Sequence, residues 1–96
     1  MVVKLIEIAE AHNIGATRKY MLREVFVNPE HVIYLRPDEL AKRKLTENKF
    51  PDALDERQEF TSLKLNSGHN GLTLTVVGSP SIIEEKLRTS KQLLRG

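Results

Sequence analysis

Residues 59–66, EFTSLKLN, and 71–78, GLTLTVVG, alternate apolar and polar side chains with a period of two. A helix scatters such a pattern around its circumference, whereas a strand sends alternate residues to opposite faces of a sheet. Leu63 and Leu65 fall on one side with Ser62 and Lys64 opposite. Leu72, Leu74 and Val76 fall on one side with Thr73, Thr75 and Val77 opposite. SGHN joins the two runs, and Asn70-Gly71 offers the positive φ that tight hairpin turns demand. The spacing predicts a β-hairpin with a buried face, so the remaining elements must cover that face.

Three further runs read as strands. VVKLIEIA at 2–9 is rich in β-branched residues, and both of its faces are partly apolar, with Lys4 and Glu7 marking the edges of cover. KYMLREVFV at 19–27 is the second and HVIYLR at 31–36 the third. Between these two, Asn28-Pro29-Glu30 makes a turn in which Pro29 sets φ and Asn28 hydrogen-bonds its own backbone, so a hairpin is expected there too.

Two segments read as helical. In PDELAKRKLTENKF, Pro37, Asp38 and Glu39 open a helix whose Lys42, Arg43 and Lys44 sit near its other end, matching the helix dipole. Leu40, Ala41 and Leu45 give it a thin apolar stripe. PDALDERQ at 51–58 reads as one helical turn or an ordered loop, so 37–58 is an insertion between strands three and four. At 80–94, Ser79 caps a helix with Pro80 at its first position, or Ser81 caps it with Glu84 closing a capping box. Ile83, Leu87 and Leu94 share one face of that helix, with Ile82 and Leu93 beside it. The order β-β-β-α-β-β-α over a single 1–96 domain predicts an α+β fold: a small bent antiparallel five-stranded sheet, or an SH3-like partly open barrel, with a C-terminal helix.

Composition excludes several functions. With no Cys there is no disulfide, thiolate metal site or cysteine nucleophile. No run approaches a membrane span, and Glu7 and Glu10 argue against a signal peptide at the start, so a cytoplasmic protein is expected. Residues 1–34 and 35–58 are each charge-balanced, and the net charge of +2 comes from the last segment. The pI of 9.0 therefore overstates the case for nucleic acid, whose binders display a basic stripe.

Catalytic, metal and cofactor sites are not expected. His12, His31 and His69 lie in separate segments without helical pairing, and nucleotide-binding and hydrolase motifs are missing. Asp52, Asp55 and Glu56 read as a solvated acidic turn partly neutralised by Arg57. Of the aromatics, Phe26 and Phe60 are assigned to the core, leaving few stacking platforms. The stretch HNIGATRKY at 12–20 stands out. Gly15 permits a left-handed backbone, Thr17 is small, and His12, Asn13, Arg18, Lys19 and Arg23 surround them, a set suited to holding an anion. The bland alternative is a loop whose cations pair with Glu7, Glu10 or Glu24. Lys86, Arg88, Lys91 and Arg95 make the last helix cationic and mark a partner-binding face.

VNPEHVIYLRP, followed by LKLNSGHNGLTLTVVGSPSIIEEKL, resembles the small FlbD-like flagellar regulatory proteins, which combine an asparagine-led turn, a strand, a glycine-bearing hairpin and a valine strand ending in a serine-capped helix. It is also similar to short phage-encoded regulatory proteins. The resemblance spans roughly 40 residues built from turn and cap signals and implies a regulator or adaptor without catalytic residues. The first functional reading is thus a non-catalytic regulatory or inhibitory module, acting on a host protein as a homo-oligomer. The second is a protein that sequesters a nucleotide or other small anion through 12–23, and the third is a nucleic-acid-binding regulator.

Overall fold

β1 (Val3–Ala11), β2 (Lys19–Val27), β3 (Val32–Pro37), β4 (Phe60–Leu65) and β5 (Leu72–Val77) form one antiparallel sheet in the order β2-β1-β5-β4-β3. The computed structural model describes residues 2–11, 19–51, 54–66 and 71–95. Two helices, α1 (Glu39–Thr46) and α2 (Pro80–Arg95), complete a small open-sheet α+β fold. No helix among the described residues is long and apolar enough to cross a membrane.

β2 and β3 do not form the hairpin expected from their closeness in sequence. β2 pairs instead along its whole length with β1, from Val3↔Val27 to Ala11↔Lys19, and β3 pairs with β4. Between β2 and β3 the chain makes a 3-10 turn at Pro29–His31, capped by Asn28, whose Oδ1 accepts from Glu30 N at 3.0 Å. The connection is turned away from a hairpin by the 3-10 turn itself, which packs against α2 instead of reversing β3 onto β2. This connection has a geometric consequence. Edge strands of a flat five-stranded sheet stand about 19 Å apart, yet the chain from Val27 to Val32 reaches at most about 18 Å even when extended. The sheet therefore curls until its edges approach at that end.

Both faces carry a core. Leu5, Val27, Leu63, Leu74 and Val76 share one face, where Ile83 and Leu87 of α2 complete the cluster. α2 lies against the 3-10 turn and β3 as well as β1 and β4, and Ser79 Oγ accepts from Ile82 N at 3.4 Å with Pro80 opening the helix. Of the expected α2 face, Ile83 and Leu87 are buried and Ile82 is half exposed. On the opposite face, Ile8 and Phe60 are covered by Ala41 and Leu45 of α1 and by Phe50.

Several local expectations change. Pro37 ends β3, and Asp38 is the α1 cap: its Oδ1 accepts from Ala41 N at 3.0 Å. Phe26 is 59% exposed while Phe60 is 2% exposed, because Phe26 opposes Lys4, outside the cluster that α1 and Phe50 cover. Glu7 is buried, not at an edge of cover. Among the described residues, positive φ occurs at Asn48 and Gly78 but not at Gly71. Six residues separate Leu65 from Leu72, so a two-residue turn is not required there, and its tip, 67–70, lies outside the described residues.

Candidate interaction surface

The segment expected to hold an anion falls largely outside the described residues, which omit His12, Asn13, Gly15, Thr17 and Arg18. Lys19 opens β2 opposite Ala11. Arg23 is committed elsewhere: its Nε donates to Glu7 Oε1 at 2.8 Å, across the β1–β2 pair. On α2, Lys86 and Arg88 are exposed, and Arg88 stands 3.8 Å from Glu84 one turn earlier. Lys91 and Arg95 continue the same helix. Asp55 is exposed and holds Arg57 with both carboxylate oxygens, which lowers its pKa below the usual value. Asp52 lies outside the described residues.

A different cluster stands on β3 and β4, on the face away from α2. Tyr34 and Arg36 are two apart on a strand and so share a face, and the Arg36 guanidinium sits 4.5 Å from the centre of the Tyr34 ring. Lys64 pairs with Tyr34 across the ladder. Its Nζ lies so close to Gly71 that a Cβ there would come within 2.5 Å of it, so the missing side chain makes room for the lysine. Ile33, beside the bulge between Val32 and Tyr34, is 57% exposed, and Tyr34 is 40% exposed. The Tyr-x-Arg spacing within YLR was the legible signal for this pair. The approach of Lys64 was not legible, because it depends on strand register.

A second tyrosine–cation pair lies on the same face of the sheet. Lys44 of α1 donates from Nζ to Tyr20 OH at 2.9 Å and stands 4.9 Å from the ring centre. Tyr20 meets Phe50 edge-on, and Phe50 meets Phe60 in the same way. Beside α1, a cavity of about 410 Å³ is lined by Asp38, Glu39, Arg43, Glu59 and Pro80 among others, a mixed charge that favours neither ion sign. Lys42 also lines it, but Lys42 Nζ donates to the carbonyls of Glu56 and Gln58 at 2.8 Å and pins that loop.

The two sheet edges differ in protection. β3 has six residues, a bulge and a terminal proline, all devices that discourage further pairing. β2 has nine residues in unshifted register with β1, and among the described residues no backbone group outside the sheet bonds to it. Three comparisons, with protein-family models, curated proteins and solved structures, found nothing that matches this chain.

Proposed function

We propose that this chain is a non-catalytic regulatory module that binds a protein partner, working as a homo-oligomer in the cytoplasm. The observation that carries this reading is the exposed Ile33–Tyr34–Arg36 cluster with Lys64 beside it. Tyrosine and arginine dominate the energetics of protein interfaces, and a ring already stacked on a guanidinium loses little side-chain entropy on binding. The resemblance to FlbD-like and phage-encoded regulators fits an adaptor of this kind, with a host protein as its target. We read the curled sheet, with its edges bridged by the short 3-10 turn, as an SH3-like partly open barrel that holds the cluster rigid.

Affinity capture from source-cell lysate tests the proposal. Wild-type protein retains a specific partner, and Tyr34→Ala or Arg36→Ala each weakens that capture about tenfold or more. Equal capture by the wild type and both variants would remove the cluster from the interaction.

The same cluster favours one further reading, a single-stranded nucleic-acid contact, because the Arg36 guanidinium lies beside an exposed ring that offers a stacking surface, and Lys64 stands opposite Tyr34 in the β3–β4 register. Titration with oligonucleotides at several salt concentrations separates the two: a steep salt slope that falls by about one on Lys64→Ala supports nucleic acid, and flat binding curves leave the protein partner. The anion-sequestering reading rests on residues 12–19 alone once Arg23 is engaged by Glu7.

A further inference from the structure

We propose that the free edge of β2 pairs with β2 of a second copy of this chain, antiparallel and in a register centred on Leu22. The inference rests on the homo-oligomer part of the function proposed above and gives it a surface.

The edge comes first. β2 is the longer, regular edge of the sheet, whereas β3 is shortened, bulged and closed by Pro37. An unguarded row of N–H and C=O groups is a template for another strand, and an identical strand related by a two-fold axis is the simplest one to meet it. A two-fold normal to the sheet keeps each face continuous, so residues of the same face oppose one another across the new ladder.

Charge then selects the register. Centring the pair on Arg23 sets arginine against arginine, and centring it on Glu24 sets glutamate against glutamate; both are unfavourable. A centre at Val25 runs the partner strand into the 3-10 turn that follows Val27. A centre at Met21 confines the ladder to 19–23, whereas a centre at Leu22 extends it over 19–25. In that register Leu22 meets its own counterpart, Met21 meets the second copy's Arg23, and Tyr20 meets the second copy's Glu24.

The last of these pairs is the specific one. Lys44 already sits on the Tyr20 hydroxyl at 2.9 Å. Glu24 is exposed and makes no hydrogen bond or ion pair among the described residues. The dimer brings each Glu24 beside the other copy's Lys44, forming two equivalent ion pairs at the margins of an apolar centre.

Sedimentation equilibrium over a concentration series tests this, with circular dichroism confirming that each variant is folded. Wild-type protein dimerises; Glu24→Lys and Lys44→Glu each raise the dimer Kd about tenfold or more; and the double variant, Glu24→Lys with Lys44→Glu, dimerises like the wild type. A wild-type chain that stays monomeric, single variants without effect, or a double variant no tighter than the singles would each overturn the proposal. Lysate capture lost on Tyr34→Ala is scored separately. A monomer that still captures its target removes the dimer and leaves the binding function standing.

Discussion

Arg23 donates from Nε to Oε1 of Glu7 at 2.8 Å, and the two residues face each other across the β1–β2 ladder. Glu7 also opposes Val76 on its other side, so a buried carboxylate sits between an apolar residue and one charged donor. Arg23→Leu removes that donor and is expected to cost about 1–2 kcal/mol. This is the lower part of the range for a buried charged group losing its partner, because the Arg23 side chain is itself more than half exposed to screening solvent. Urea unfolding checks it, and adding Glu7→Leu to Arg23→Leu should recover most of the loss.

Asp38 serves two elements at once. Oδ1 caps α1 through Ala41 N, and Oδ2 accepts from Thr75 Oγ1 at 2.8 Å, tying the helix start to β5. Asp38→Ala is expected to destabilise by about 2–3 kcal/mol, the sum of a lost cap and a lost part-buried hydrogen bond. Asp38→Asn keeps an acceptor for the cap and a donor for Thr75, so its cost should stay below about 1 kcal/mol in the same denaturation assay.

Gly78 and Gly71 should respond differently to alanine. Gly78 has a φ of 129°, and a Cβ there would stand 3.0 Å from Ile83 Cδ1 in the core. Its N–H donates to Glu59 O and its carbonyl accepts from Thr61 Oγ1, so the backbone has no freedom to escape the strain. Gly78→Ala is expected to cost about 1–3 kcal/mol. At Gly71 the Cβ meets only the flexible end of Lys64. Gly71→Ala should change thermal stability by no more than about 0.5 kcal/mol, while displacing the end of the Lys64 side chain.

Asp55 titrates below its usual range, chiefly because the Arg57 side chain hydrogen-bonds to its carboxylate, with the Arg57 backbone N–H adding to the effect. The folded pKa is depressed, so the group's small contribution to stability is present above the unfolded value and disappears as pH falls through the folded one. Carboxyl chemical shifts followed through an acid titration should place the Asp55 midpoint below that of a free aspartate. Arg57→Ala should move it upward.

How far the sequence reaches is clearest in β4 and β5. Their alternation identified both strands and a one-sided set of which Leu63, Leu74 and Val76 are buried, Leu65 is half-buried and Leu72, at the turn end of the hairpin, is exposed. Asn28 was legible as a turn residue bonding its own backbone, and Ser79 as one of two candidate caps beside Ser81, because each acts within three residues of itself. The surface around Tyr34 was not legible in the same way. Tyr34 and Arg36 could be placed on one face from their spacing, but Lys64 is 30 residues from Tyr34 and comes opposite it only through the β3–β4 register. Glu7 looked like a residue at the margin of cover, and its burial depends on Val76 and Arg23, both distant in sequence.

The amino-acid order by itself determined the positions of the five strands and two helices to within a residue or two of their ends, since periodicity and capping act between near neighbours. Tertiary structure alone decided which strands adjoin. β2 and β3, separated by four residues, became opposite edges of the sheet. β2 pairs along its length with β1, β3 pairs with β4, and the 3-10 turn at Pro29–His31 carries the chain from one edge to the other, an arrangement set by contacts between residues distant in sequence. That arrangement left one long edge without a paired strand among the described residues, and it set Tyr34 and Arg36 on β3 opposite Lys64 and Ser62 of β4.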